Sequence, residues 1–182
     1  MKKTDILIIG GSAAGLVAAS TAKSNYPDKD VTLIRKEEIV MIPCGIPYIY
    51  ATTGTTNKNI LPDEGLKSLG VNIVIDEVTS IDKENKICKI KNNDDLEYDK
   101  LIIATGSVPV VPKWLKGTEL KNVFTIPKNK VYLDETQPML QDCKKIITIG
   151  AGFIGVELSD ELNKLGKEVT LIEKLPHILG LA

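Results

Sequence analysis

The residue best suited to redox chemistry is Cys44, which lies between Pro43 and Pro47 directly after a short apolar run. A thiolate is a strong nucleophile, and the N-terminus of a helix favours it. The segment 45–48 is compatible with a helix start, since proline is tolerated in the first turn. A buried structural role is the commoner fate of an isolated cysteine. From the local sequence, a reactive and a structural Cys44 both remain open.

A complete GxGxxG pattern occupies 150–155, between a strand-like apolar run and a helix-like run. Its glycines permit a tight turn, close approach of the backbone to a pyrophosphate, and close packing of helix on strand. Glu173 follows the next apolar run, and a carboxylate there accepts hydrogen bonds from an adenosine ribose and repels a 2′-phosphate. The pattern therefore predicts a dinucleotide site that favours NADH over NADPH, although the neighbouring Lys174 weakens the preference.

A less complete glycine pattern begins at Gly10, where Ser12 stands at the position of the middle glycine. Serine is small enough for close approach of a phosphate but adds bulk. At the end of the following apolar run Arg35 replaces the ribose-binding carboxylate. Either Glu37 or Glu38 takes over that role, or the Arg35 side chain lies against an adenine or a phosphate.

The two glycine patterns belong to an internal repeat that is offset by 140 positions, from Gly10 to Gly150. Residues 6–15 align with 146–155 and, with two residues of slack in the loop, 31–36 align with 169–174. A strand, a glycine turn, a helix and a second strand all recur. The repeat therefore predicts two βαβ nucleotide-binding units.

The residues between the repeats predict further elements. Gly70 is expected to end a short helix, and a linker is expected to begin near Pro109. The expected elements are a helix over 61–69, a strand over 71–75, a small antiparallel meander over 78–81, 86–90 and 96–98, a separate buried strand over 101–106, and a poor helix over 131–140 that is interrupted at Pro138.

Composition excludes several classes of function. The chain has 182 residues, 43% of them hydrophobic, and a net charge of −1, so it has a core and no basic surface for nucleic acid. No apolar run is long enough to span a membrane, and Asp5 interrupts the first one, which argues against a secretory signal. An odd number of cysteines favours a cytoplasmic protein. Cys88, Cys143 and the single histidine, His177, are expected to be structural or incidental, and no metal site is predicted.

Together and in this order, these features resemble the pyridine nucleotide–disulfide oxidoreductases, in particular a single-cysteine branch of coenzyme A-disulfide reductases, NADH oxidases and NADH peroxidases. The resemblance covers essentially the whole chain and rests on 10–15, 44–48, 98–109, 150–157 and Glu173. It implies an α/β chain with a Rossmann-like FAD-binding fold and its β-meander in residues 1–112. The start of a second Rossmann-like fold, which binds NAD, is expected in 113–182.

The resemblance also implies the site residues. Gly10, Ser12, Ala13 and Ala14 are expected to line the FAD pyrophosphate, and the backbone of Val78 to meet the adenine. The remaining expected cofactor contacts are, for FAD, Arg35, Lys36, Pro43, Ala104, Thr105 and Gly106 and, for NADH, Gly150, Gly152, Phe153, Ile154, Glu157, Glu173 and Lys174.

The implied reaction passes electrons from NADH through FAD to the oxidised sulfur of Cys44, which an oxidant regenerates. The oxidant is a small molecule: a disulfide, a polysulfide or O2. Ala13 replaces a histidine of the peroxidase-like members, which disfavours a peroxidase. Members of the family are implied to be homodimers and much longer than this chain, so the chain is expected to be an N-terminal portion. Two alternatives stay open: a non-catalytic nucleotide-binding fragment, and a flavoprotein reductase of the wider superfamily in which Cys44 is structural.

Overall fold

The structure is a computed structural model that describes residues 2–180. Among these, 2–40 and 61–108 form one compact unit, and 41–60 and 109–180 form another. We call them the first and second units and describe each by itself. The domain boundary between 112 and 113 stays a prediction.

The helices and strands follow the α/β pattern expected from the sequence. In chain order they are β1 (Lys2–Ile9), α1 (Ala13–Asn25), β2 (Val31–Arg35), β3 (Val40–Met41), β4 (Ile60–Leu61), α2 (Glu64–Ser68), β5 (Asn72–Ile75), β6 (Val78–Asp82), β7 (Ile87–Ile90), β8 (Leu96–Ile103), α3 (Lys130–Asp142), β9 (Lys145–Ile149), α4 (Phe153–Lys164) and β10 (Glu168–Ile172). None of the described helices is both long and apolar enough to cross a membrane.

The first unit is built on a six-stranded sheet with the order β5-β2-β1-β8-β7-β6. Strands β5, β2, β1 and β8 run parallel, as βαβ connections require, whereas β6, β7 and β8 form the predicted antiparallel meander. The predicted separation of 96–98 from 101–106 is wrong, because β8 runs continuously through both segments. Asp99 and Lys100 interrupt the apolar pattern but lie on the exposed part of this strand, where charged side chains reach water.

Apolar side chains cover both faces of this sheet, as in other α/β folds. Alternate residues of β1 point to opposite faces: Leu7 packs in a cluster with Cys88 and Tyr98, whereas Ile8 packs with Leu33 and Ala19. The ends of the parallel strands are therefore held in place by close-packed side chains on both faces of the sheet.

The second unit repeats the βαβ arrangement on a smaller scale. Strands β9 and β10 pair in parallel, and α4 packs Leu158 and Leu162 into a core that also contains Leu133 of α3. Helix α3 is regular despite Pro138, and the Asn129 side chain accepts a hydrogen bond from Tyr132 N, 2.9 Å away, at its start. The helix predicted over 131–140 is thus confirmed and starts one residue earlier, but the interruption expected at Pro138 is wrong, because α3 continues to Asp142.

Candidate functional site

The two glycine loops have the same backbone geometry. Gly10 ends β1 with a φ of 107°, and Gly150 ends β9 with a φ of 98°, a region that side chains disfavour. Each of these glycines donates its N–H to the second strand of its unit, Gly10 to Ile34 O at 2.8 Å and Gly150 to Ile172 O at 2.9 Å. The repeat inferred from sequence is therefore a repeat of structure.

The last glycine of each loop packs a helix directly on its strand. A Cβ atom on Gly15 would lie 1.8 Å from Gly10 O, and one on Gly155 would lie 1.9 Å from Gly150 O. No side chain fits at either position without movement of the backbone. The helices α1 and α4 therefore start close to the strand ends, where their free N–H groups suit a phosphate.

The first loop meets the end of β8. A Cβ atom on Gly10 would lie 2.2 Å from Ala104 O and 3.0 Å from Thr105 N. The structure thus brings together three of the residues predicted to contact FAD. Ser12 precedes α1, and its buried hydroxyl has no hydrogen-bond partner among the described residues. A close cradle of glycine and alanine with an unpaired hydroxyl fits the pyrophosphate of a dinucleotide.

The Arg35 side chain is held by residues of the first unit. Its buried guanidinium forms a bidentate pair with Asp63, with distances of 2.7 Å and 2.8 Å, and donates to the carbonyl oxygens of Glu37 and Glu38 at 2.8 Å and 2.9 Å. The hydrogen bond from Arg35 outweighs burial and holds the pKa of the Asp63 carboxyl below its usual value. The stem of the side chain packs on Gly11, and the contact of Arg35 with adenine or phosphate stays a prediction.

Glu173 lies beside the second glycine loop, as its position in the repeat predicts. One carboxylate oxygen accepts a hydrogen bond from Ala151 N at 2.7 Å, and the other accepts from Lys174 N at 2.7 Å and Leu175 N at 2.9 Å. The bonds from Leu175 and Ala151 lower the pKa of Glu173, so it is ionised at neutral pH. Each oxygen of a carboxylate accepts more than one hydrogen bond, which leaves capacity for ribose hydroxyls.

Cys44 is exposed and lies in a turn that has no α-helix. Two 3-10 turns, Pro43–Gly45 and Pro47–Ile49, replace the helix predicted to start at Gly45. Each turn starts at a proline and is closed by a backbone hydrogen bond to the carbonyl three residues before, from Ile46 N to Pro43 O and from Tyr50 N to Pro47 O. The prediction of a helix N-terminus that favours the thiolate is therefore wrong.

The Asn59 side chain braces the turn on both sides of Cys44. Its amide donates to Ile42 O at 3.0 Å, and a Cβ atom on Gly45 would lie 1.8 Å from its carbonyl oxygen. Ile46 is almost completely buried next to this exposed cysteine. The thiol is thus presented on a fixed turn.

The other residues considered for chemistry are unsuited to it. Cys88 is fully buried, and burial raises the pKa of its thiol to about 11. Cys143 is half-buried, and its thiol donates to Met139 O at 3.3 Å. His177 is exposed, and the described residues contain no cluster of His, Cys, Asp and Glu that could hold a metal ion.

The remaining predicted cofactor residues lie in several elements, including the Cys44 turn, which contains Pro43, and β6, which starts at Val78. Lys36, Ala13, Ala14, Phe153, Ile154, Gly152 and Lys174 are exposed, whereas Pro43, Val78 and Glu157 are half-buried. Gly106, which follows Thr105, has a φ of 72° and is exposed. No contact of the structure decides their roles, so these assignments stay predictions.

A residue that sequence reasoning missed is Glu161, whose carboxylate is fully buried on α4. Thr52 donates to it from both its N–H and its hydroxyl, each at 2.7 Å, and Lys164 donates at 2.7 Å. Burial opposes ionisation, but the bonds from Lys164 and Thr52 outweigh it and lower the pKa of Glu161. Its spacing from Leu158 and Leu162 places it on the buried face of the helix, and this pattern could have predicted that the carboxylate is buried.

The family profile of the pyridine nucleotide-disulphide oxidoreductases matches residues 4–182. The chain belongs to this family. A protein of Methanocaldococcus jannaschii named NADH oxidase is 34% identical over 186 residues, which is 95% of this chain and 41% of that protein. A Pyrococcus abyssi protein named NAD(P)H sulfur oxidoreductase (CoA-dependent) is also 34% identical, over 98% of this chain and 41% of its own length.

The structure of a water-forming NADH oxidase from Lactobacillus brevis, bound to NADH, is similar with a TM-score of 0.85 and 28% identity. The match covers 97% of this pyridine nucleotide-disulphide oxidoreductase chain and 41% of that one. The α/β fold class predicted from the sequence is confirmed by this likeness. The chain spans about two fifths of the length of the relatives it matches.

Proposed function

We propose that this chain carries the FAD-binding loop, the first NADH-binding loop and the redox cysteine of an NADH-dependent flavoprotein. Its oxidant is a disulfide, a polysulfide or O2. The observation that carries the proposal is the exposure of Cys44 on a braced turn in a chain that also has two glycine loops of matching geometry. A cysteine with only a structural role is expected to be buried, as Cys88 is.

The residues around each loop suit their proposed ligands. Gly10, Ser12, Ala13 and Ala14 would hold the FAD pyrophosphate, and Ala104 to Gly106 would lie along the flavin. When bound, FAD accepts hydride from NADH and passes on electrons in pairs. The N–H groups at the start of α4 would bind the NADH pyrophosphate, and the ionised Glu173 would accept ribose hydrogen bonds and disfavour a 2′-phosphate.

Cys44 would act as a nucleophile. With a disulfide substrate, its thiolate attacks one sulfur, the S–S bond breaks, and one substrate thiolate leaves while the other half stays bound as a mixed disulfide. Two electrons and a proton then reopen the mixed disulfide, which restores the thiolate of Cys44 and releases the second thiol. The names of relatives include both an NADH oxidase and a CoA-dependent sulfur oxidoreductase, so both kinds of oxidant are retained.

The test compares Cys44→Ser with Cys143→Ser in the protein reconstituted with FAD. We expect NADH-dependent reduction of coenzyme A disulfide, polysulfide or O2 to be lost in the first variant and kept in the second. A thiolate–flavin absorption band, present after partial reduction, should disappear only with Cys44. Equal turnover in both variants would refute the role of Cys44.

A second candidate is a non-catalytic nucleotide-binding fragment, which has the two glycine loops but no redox turnover. It predicts that the purified 182-residue chain stays colourless after incubation with FAD and dialysis. A retained flavin spectrum would contradict it.

A further inference from the structure

The segment 41–60, which carries Cys44, has little regular structure of its own. It contains three short 3-10 turns, Pro43–Gly45, Pro47–Ile49 and Thr56–Lys58. Such turns have poor hydrogen-bond geometry and seldom persist without support. Asn59 holds the turn at Cys44 from within the segment, and the residues after the cysteine are held by contacts with the rest of the second unit.

Polar side chains of two helices supply these contacts. The Gln137 amide on α3 donates to Ile49 O at 2.7 Å and to Gly54 O at 3.2 Å. The Glu161 carboxylate on α4 accepts both hydrogen bonds that Thr52 offers, from its N–H and from its hydroxyl. Each helix thus binds the backbone of the chain a few residues after Cys44.

Glu161 is an unusual choice for this contact. Its side chain is fully buried among leucines, where an apolar residue would avoid the cost of removing a carboxylate from water. The carboxylate is nevertheless retained with three hydrogen bonds, two from Thr52 and one from Lys164. The buried Glu161 carboxylate lowers stability but binds specific partners. These properties suit a residue that selects one conformation of the segment 41–60.

We propose that Glu161 is a positioning residue for Cys44: through Thr52 it fixes the turn that presents the thiol. Because it is on α4, which starts at the second glycine loop, Glu161 ties the cysteine turn to the helix of the nucleotide site. The inference rests on the proposed function in treating Cys44 as the reacting thiol.

The chain offers a matched set of variants. Glu161→Gln removes the charge that binds Thr52, and Thr52→Val removes the hydroxyl from the other side without touching α4. Thr52→Ser keeps both donors and should restore wild-type behaviour. Asp160→Asn makes the same charge change one residue away, on a side chain that is exposed and bonded to Lys164 but not to Thr52.

The first measurement is amide hydrogen exchange in peptides that cover 43–54. We expect Glu161→Gln and Thr52→Val to exchange roughly 10- to 100-fold faster there, the range that hydrogen bonds to a charged group supply. Asp160→Asn and Thr52→Ser should match the wild type. Should Glu161→Gln fold poorly, Thr52→Val tests the same contact from the surface.

The second measurement is the rate at which Cys44 forms a mixed disulfide with Ellman's reagent as a function of pH, without NADH. The midpoint of this profile reports the surroundings of the thiol and would not move with stability alone. We expect Glu161→Gln and Thr52→Val to shift it in the same direction, and the double variant to add nothing, because both break one contact. The proposal would be overturned if the midpoint did not move in Glu161→Gln and Thr52→Val, or if their shifts added up in the double variant. An equal shift in Asp160→Asn would also overturn it.

Failure here is distinguishable from failure of the proposed function. Mixed-disulfide formation in these assays needs neither cofactor nor turnover. If the exchange and Ellman's reagent results are as expected but Cys44→Ser keeps its turnover, the positioning contact is retained and the redox role of Cys44 is rejected. If Cys44→Ser loses turnover but the Glu161 and Thr52 variants behave like the wild type, the redox role is retained and the positioning contact is rejected.

Discussion

Gly152 and Gly155 lie in one loop, and the structure predicts that alanine at these positions has separable effects. A Cβ atom on Gly155 would lie 1.9 Å from Gly150 O, whereas a Cβ atom on Gly152 would meet nothing within 4 Å. Gly152 also has a φ of −74°, which any residue adopts. The fold therefore does not require glycine at position 152, and the absence of a side chain there indicates that a ligand approaches the backbone.

The expected magnitudes follow from these contacts. Alanine at 155 gains about 1 kcal/mol of helix propensity over glycine, but the collision is with a backbone atom and costs about 3 kcal/mol. Gly155→Ala should thus lower the free energy of unfolding by about 2 kcal/mol. Gly152 is the N-cap of α4, where alanine costs about 0.5–1 kcal/mol relative to glycine. Gly152→Ala should fold nearly normally yet bind NADH at least about tenfold more weakly, about 1.4 kcal/mol.

Two assays separate these effects. Urea unfolding followed by circular dichroism gives the stability of each variant, and titration calorimetry gives its affinity for NADH. Gly65→Ala, at a helical position where a Cβ atom also meets nothing within 4 Å, is the control for glycine replacement as such. Wild-type NADH affinity in a folded Gly152→Ala variant would refute the assignment of this loop to the pyrophosphate.

Two further predictions concern charge and thiols. Asp63→Asn leaves the buried Arg35 guanidinium without its counter-ion and should lower the free energy of unfolding by about 3 kcal/mol. Arg35 lowers the pKa of Asp63 in the folded state, so the wild type has this stabilisation above the usual pKa of 3.8 and loses it as the pH falls through the lower folded value. Acid unfolding should show this loss in the wild type and not in the variant. Alkylation with iodoacetamide at pH 8 should modify Cys44 first and spare Cys88, whose burial raises its thiol pKa to about 11, and mass spectrometry showing equal labelling of both would contradict the structure.

The features predicted correctly from the sequence are those that depend on neighbours in the chain. Gly10 and Gly15 are five residues apart, and their contact follows from the geometry of one turn. The same holds for 150–155, so both loops and the parallel strands beside them could be predicted without knowledge of the rest of the fold. Apolar alternation likewise predicted the meander.

The features that the sequence did not reveal depend on partners that are distant in sequence. Asp63, which binds both ends of the Arg35 guanidinium, lies 28 residues further along the chain. Glu161 is 109 residues from Thr52, and no local pattern announces their contact. The helix after Cys44 was predicted because proline suits a first turn, but proline suits the start of a 3-10 turn as well, and both turns in this segment begin with one.

A comparison of the two glycine loops explains why the same turn carries different residues. Arg35 and Glu173 occupy equivalent places in the repeat, and each lies over the second residue of its own loop, Gly11 and Ala151. The Arg35 stem takes the space of a side chain, since a Cβ atom on Gly11 would lie 2.4 Å from Arg35 Cδ. Glu173 is shorter and meets the Ala151 N–H instead, so a methyl group is accommodated.

In each loop the second residue and the residue at the strand end thus fit one another. An arginine at the strand end requires glycine in the loop, whereas a carboxylate there permits alanine and itself stabilises the loop. The glycines at 10, 15, 150 and 155 fix a common backbone, and this pair then distinguishes the loops chemically. In the first, the charge of Arg35 is neutralised by Asp63; in the second, the carboxylate of Glu173 stays ionised at the edge of the loop, where a ribose would lie. The two copies of one βαβ unit therefore differ in the charge that the second strand places beside the glycine loop.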